Sequence, residues 1–168
     1  MNYKLMINES VMLKEIQELS KILINKEIKL VTVESCTGGL VGKIITDHSG
    51  SSEWYESGFI TYSNEAKHKL VGVSRKLIVS YGAVSEQVAC AMASGACSIF
   101  PNAVSLSITG IAGPGGGSDD KPVGLVYLSV CYSGNSKTIK CHFVGNRDSV
   151  RDSALRKGLD LVSEFVIS

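Results

Sequence analysis

The sequence predicts an α/β sandwich built on a mixed sheet, one domain spanning residues 1–168. Three observations carry that expectation. Short β-branched runs alternate with segments whose apolar residues recur at helical spacing. The chain closes with two strand-like segments, 123–132 and 136–144, split by the turn Ser133-Gly134-Asn135. A last helical pattern then follows, an order that suits helices packed on both faces of a partly antiparallel sheet. No repeat, long linker or low-complexity tail divides it.

From Glu9 to about Lys26, Met12, Leu13, Ile16, Leu19, Ile22 and Leu23 trace one face of a helix. Residues 28–33 read as a strand, and Leu40 to about Asp47 as a helix. Ser49-Gly50-Ser51-Ser52 is a turn signal. Trp54–Tyr62 is aromatic and β-branched, hence a strand. Asn64 is placed to cap a helix through Leu70, and Ser85 to cap a longer one to about Ile99 with Glu86 in its first turn. Val104–Thr109 is a short buried strand running into the Gly-rich stretch Gly110–Ser118, and Asp148–Phe165 is the closing helix.

Composition excludes several classes. With 44% hydrophobic and 20% charged residues the chain is that of an ordinary globular protein. A net charge of +1 argues against a general nucleic-acid binder. No apolar stretch approaches the roughly 18 residues needed to span a bilayer, and no signal-peptide pattern is visible. The five cysteines, 36, 90, 97, 131 and 141, form no CxxC pair, so reduced thiols and a cytoplasmic location are expected, with Cys90 and Cys97 as small core residues. His48, His68 and His142 are isolated, so neither a metal nor a cofactor is expected.

Chemistry concentrates at Glu34-Ser35-Cys36-Thr37-Gly38-Gly39, between the first strand and the helix after it. Ser35 and Cys36 are both candidate nucleophiles. Backbone N–H groups opening the next helix, with its positive dipole end, suit an oxyanion. The plainer alternative is that Ser35 and Thr37 only cap the helix. Neither a G-x-S-x-G elbow nor a Walker A loop is present. A serine needs a base. Lys67, in Tyr62-Ser63-Asn64-Glu65-Ala66-Lys67, could serve if burial lowers its pKa, with Tyr62 as a proton relay; otherwise it is a solvated lysine on a helix face. Gly110, Gly113, Gly115 and Gly116 allow close backbone approach to an anion, unless the loop is a mere connector. Arg147 and Arg151 could each hold a phosphate, or pair with Asp148 or Asp152.

Five ordered blocks, Glu34–Gly39, Tyr62–Lys67, Gly82-Ala83-Val84-Ser85, Thr109–Pro114 and Lys121-Pro122-Val123-Gly124, resemble the CinA C-terminal domain family over about residues 10–165. Leu125 and Val71 depart from the pattern at apolar positions. The resemblance implies the stand-alone, amidase type of that family, without the N-terminal domain of larger members. It implies deamidation of nicotinamide mononucleotide to nicotinate mononucleotide and ammonia. It places the nucleophile on Ser35, at the expense of Cys36, with assistance from Tyr62 and Lys67. The oxyanion and substrate would then meet Cys36, Thr37, Gly38 and Thr109. The phosphate would meet Gly110, Gly113, Gly115, Gly116 and Arg147 or Arg151. The implied partner is a small nucleotide, and the implied assembly a homo-oligomer, dimer or larger. A non-catalytic nucleotide-binding or competence-related module is the alternative.

Overall fold

In the computed structural model, which describes residues 9–168, five strands form one mixed sheet flanked by helices on both faces. The elements in chain order are α1 (Glu9–Asn25), β1 (Lys29–Glu34), α2 (Leu40–Thr46), β2 (Tyr55–Ile60), α3 (Asn64–Val71), α4 (Arg75–Tyr81), α5 (Glu86–Ile99), β3 (Ala103–Gly110), β4 (Leu125–Tyr132), β5 (Asn135–His142) and α6 (Arg147–Ile167). The sheet order is β2-β1-β3-β4-β5. β1 pairs in parallel with β2 and β3, whereas β3-β4 and β4-β5 are antiparallel.

One core packs α1, α2 and α6 on one face, around Ile16, Leu30, Ile45, Leu106, Leu128 and Leu155. The other packs α3, α4 and α5 on the opposite face, around Val31, Val33, Val71, Ile78 and Met92. β1 and β3 are therefore covered on both sides, which is why both are buried along almost their whole length. On the α5 face β3 carries hydroxyls: Ser105, Ser107 and Thr109 donate to Ala93 O, Ala89 O and Ala83 O at 2.7, 2.6 and 2.9 Å. The first two bonds seat the alanine-rich helix on the strand, and the third holds the segment that leads into it.

The structure refines the sequence reading at several points. The cap of α3 is Ser63, whose Oγ accepts from Ala66 N at 3.0 Å; Asn64 is instead the first helical residue. Ser85 does cap α5, accepting from Val88 N. α4 has no counterpart in the sequence reading, because only Leu77 and Ile78 face the core in its short span. The hairpin turn is the two-residue Ser133-Gly134, both at positive φ, and β5 stops at His142, leaving Val144 exposed. Cys90 and Cys97 are half-buried rather than core residues: Cys90 meets Ser136, and the Cys97 thiol donates to Cys131 O at 2.8 Å.

Candidate active site

The C-terminal ends of β1, β2 and β3 converge on one edge of the sheet, where open α/β sheets place their ligands. Side chains alternate between faces along a strand, and β1 obeys this rule past its end. Val31 and Val33 join the α5-side core and Leu30 the opposite one. Ser35, whose N–H still donates to Ile108 O in the β3 ladder, meets Lys67 of α3. Glu34 turns the other way, onto α2.

Lys67 is 1% exposed, its Nζ 3.0 Å from Ser35 Oγ and 2.8 Å from Thr61 O. Thr61 is itself fixed to β1, its N–H donating to Glu34 O at 2.8 Å. No carboxylate is among the lysine's partners, so burial pushes its pKa below the ordinary lysine value. The alternative of a solvated lysine on a helix face does not describe this residue. A neutral amine accepts a proton, and the bond then runs from the Ser35 hydroxyl to Nζ.

Capping of α2 falls to neither Ser35 nor Thr37. Gly39, in the left-handed region, holds the cap position and offers no side chain. The buried carboxylate of Glu34 takes that role, accepting from Gly39 N and Gly42 N at 2.9 Å and from Val41 N at 3.2 Å. An anion at the positive end of a helix is favourable, so the α2 terminus is already occupied. The N–H groups left without an acceptor in another residue are those of Cys36 and Thr37, directly after Ser35. Cys36 packs into the α6-side core, on the far side of the strand from Lys67, and burial pushes its thiol up to about 11.

A cavity of about 270 Å³ opens over the dyad. Ser35, Cys36, Tyr62, Thr109 and Arg147 line it, together with Gly110, Gly113, Gly115 and Gly116. Tyr62 is 64% exposed at its mouth and makes no hydrogen bond to Ser35 or Lys67. The Gly-rich loop is tied down: Ile111 N donates to Leu125 O, Arg147 to Gly113 O at 2.8 Å, and Lys121 to Tyr81 O at 2.6 Å. Thr37, Gly38 and Arg151 lie outside the lining. Arg151 instead donates to Thr37 O at 2.8 Å. A larger hollow, about 350 Å³, sits between Lys29, Glu56 and Phe100, but its lysine is ion-paired to Glu56 and it holds no nucleophile.

The model of the CinA C-terminal domain matches residues 13–166. The chain belongs to this family. A CinA-like protein from Syntrophomonas wolfei is 49% identical to it over 140 residues, 83% of this chain and 34% of the relative. The solved structure of a competence-damaged protein (CinA) superfamily protein from Escherichia coli matches with a TM-score of 0.88 at 33% identity, covering 98% of this chain and 99% of that one. A competence/damage inducible protein from Agrobacterium tumefaciens matches with a TM-score of 0.84 at 36% identity, over 92% and 96% of the two chains. The chain spans about a third of the length of the curated relatives it matches.

Sequence reasoning about this CinA domain did not single out Asn64, Ala83, Val84, Ile111 and Ala112, which complete the cavity wall. All five lie within the quoted blocks, and block membership was their only signal as site residues. His68 and His142 spend a ring nitrogen on Val73 O and Val123 O, and no histidine lines the cavity. Among the described residues no group of three potential ligand side chains is arranged for a metal.

Proposed function

We propose that this CinA domain is an amidohydrolase that converts nicotinamide mononucleotide to nicotinate mononucleotide and ammonia through a serine nucleophile. The observation that carries this reading is the 3.0 Å approach of a buried, carboxylate-free Lys67 to Ser35 at the floor of an open cavity. A pure binding module gains nothing from desolvating a lysine next to a serine, whereas a base working near neutrality requires it.

Neutral Lys67 takes the Ser35 proton as Oγ attacks the carboxamide carbon. The Cys36 N–H, on the cavity wall, receives the developing oxyanion, a donor of this kind being worth about 2.7–4 kcal/mol. The protonated lysine then delivers its proton to the departing ammonia. Water hydrolyses the resulting ester by the same steps in reverse, with Lys67 again as base. Tyr62 and Asn64, at the mouth, contact the substrate ring or ribose. Thr109 and the Gly110–Gly116 backbone shape the wall, and Arg147 faces the phosphate. The Lys67–Ser35 contact is direct, so Tyr62 is assigned to substrate positioning in place of a relay.

The test is ammonia release from nicotinamide mononucleotide, nicotinamide riboside and nicotinamide by the wild-type chain and by Ser35→Ala. The reading predicts turnover of the mononucleotide, lost in Ser35→Ala with the fold intact by circular dichroism. Undiminished turnover by Ser35→Ala sinks the mechanism. Tight mononucleotide binding without ammonia from any of the three favours a non-catalytic nucleotide-binding module.

A further inference from the structure

Two residues outside the cavity lining grip the turn that carries Ser35. Gly38 and Gly39 are both at positive φ, 58° and 95°, and a Cβ at Gly38 would meet nothing within 4 Å. Two successive glycines without side-chain contacts do not hold one conformation by themselves. The side chains that hold the turn come from outside it.

The first grip is Glu34. Its backbone is locked in the sheet, in register with Ile60 of β2 and Ile108 of β3. Its carboxylate, 2% exposed, gathers the N–H groups of Gly39, Val41 and Gly42. The seat of α2 is shaped for this approach. Gly42 has no side chain where a Cβ would lie 2.8 Å from the Tyr55 hydroxyl, and that hydroxyl is paired with Thr32 Oγ1 at 2.7 Å. The second grip is Arg151 of α6, donating from one guanidinium nitrogen to Thr37 O at 2.8 Å. Its Nε is buried without a partner, and its ion pair with Asp148 is loose at 3.9 Å. Thr37 O also accepts from Leu40 N, and Gly38 N donates back to Ser35 O, so the Thr37–Gly38 peptide is held at both ends.

We propose that Glu34 and Arg151 are positioning residues that grip the Ser35–Gly39 turn at two points from the α2–α6 layer, its helix end and its Thr37 carbonyl, and keep the Cys36 N–H clear of any acceptor in another residue and aimed at the reacting carbonyl. The inference rests on Ser35 as nucleophile. It separates the two arginines: Arg147 faces the ligand, and Arg151 acts through the Thr37 carbonyl.

The experiment needs no knowledge of the substrate. A fluorophosphonate probe is attacked at phosphorus by Ser35 Oγ; fluoride leaves, Lys67 takes the proton, and the phosphoryl oxygen occupies the oxyanion position. Labelling of the full chain is followed by intact mass as a function of pH, with the labelled peptide sequenced. Glu34→Gln places an amide N–H₂ against N–H donors, and Arg151→Met removes the guanidinium while keeping the stem. Arg75→Ala, on the surface, is the control. Both clamp variants should label Ser35 at least ten-fold more slowly than wild type and keep the wild-type midpoint pH, because neither touches Lys67. A general loosening of the fold would instead hydrate Lys67 and raise that midpoint. A slowdown fully explained by such a rise, or labelling of the folded variants within two-fold of wild type, overturns the clamp. Arg151→Met decides alone where Glu34→Gln fails to fold. A wild-type chain that does not label at all overturns the Ser35 reading and the clamp with it, whereas unaffected variants of a labelling wild type overturn the clamp only.

Discussion

A charged lysine at 1% exposure, without a carboxylate to pair with, destabilises the fold that holds it. Lys67 binds its proton more weakly folded than unfolded, because burial lowers its pKa. The unfolded state therefore holds more protons between the lowered value and the free value of about 10.4, and stability rises with pH across that window. Lys67→Met lacks this group. Denaturant titrations of the pair should show wild type gaining on Lys67→Met as pH climbs through the window, with Lys67→Met the more stable at pH 7 and inactive. A pH-independent difference would mean that Lys67 binds its proton equally well folded and unfolded, and would contradict the lowered pKa. With Lys67 as the proposed base, ammonia release should rise with pH to a midpoint below the free-lysine value, then level off. Ser35, Lys67 and Tyr62 were legible from the sequence as a strand-end serine with a lysine and tyrosine at the next strand end. The part played by Glu34 was not. A glutamate reads as a surface residue, and only the turn geometry shows it bending back to cap the helix in place of Ser35 or Thr37.

α3 carries Lys67, the proposed base, so what seats α3 bears directly on the proposed chemistry. Its last residue packs against α5, where a Cβ on Gly95 would lie 1.8 Å from Val71 O. Alanine is the better helix former by about 1 kcal/mol, but the clash involves backbone and cannot be turned aside. Gly95→Ala should therefore lower stability by roughly 1–3 kcal/mol in chemical denaturation. It should also slow ammonia release by moving α3; a more stable Gly95→Ala would contradict the packing described. The bidentate Arg75–Glu65 pair between α4 and α3, at 2.6 and 2.9 Å, is exposed. Arg75→Ala should leave the denaturation midpoint close to that of wild type. Hydrophobic periodicity and cap residues revealed most elements to within a few residues. α4 escaped because two inward-facing residues make no periodic signal, and β2 was read too long because Trp54, buried and aromatic, belongs to the turn before the strand. Cys90 and Cys97 share a helical spacing with α5 yet sit beside its buried stripe of Val88, Ala89, Met92, Ala93 and Ala96.

Across the whole molecule, the site exists because β1 sends consecutive residues to opposite layers. Glu34 goes to the α2 layer, Ser35 to the α3 layer and Cys36 back to the α6-side core. That alternation, a property of any strand, separates the two candidate nucleophiles that adjacency in the sequence left equivalent. The chemistry proposed is supplied by side chains and backbone alone, so ammonia release should survive prolonged treatment with EDTA; a loss restored by a divalent cation would call for a different mechanism. The most direct test of the Ser35–Lys67 dyad is acid-quenched mass spectrometry of the chain after mixing with nicotinamide mononucleotide. The dyad predicts an ester of the nicotinoyl nucleotide on the peptide carrying Ser35, absent from Ser35→Ala and still formed in Cys36→Ser. An adduct on Cys36, or ammonia release by Ser35→Ala at the wild-type rate, would contradict it.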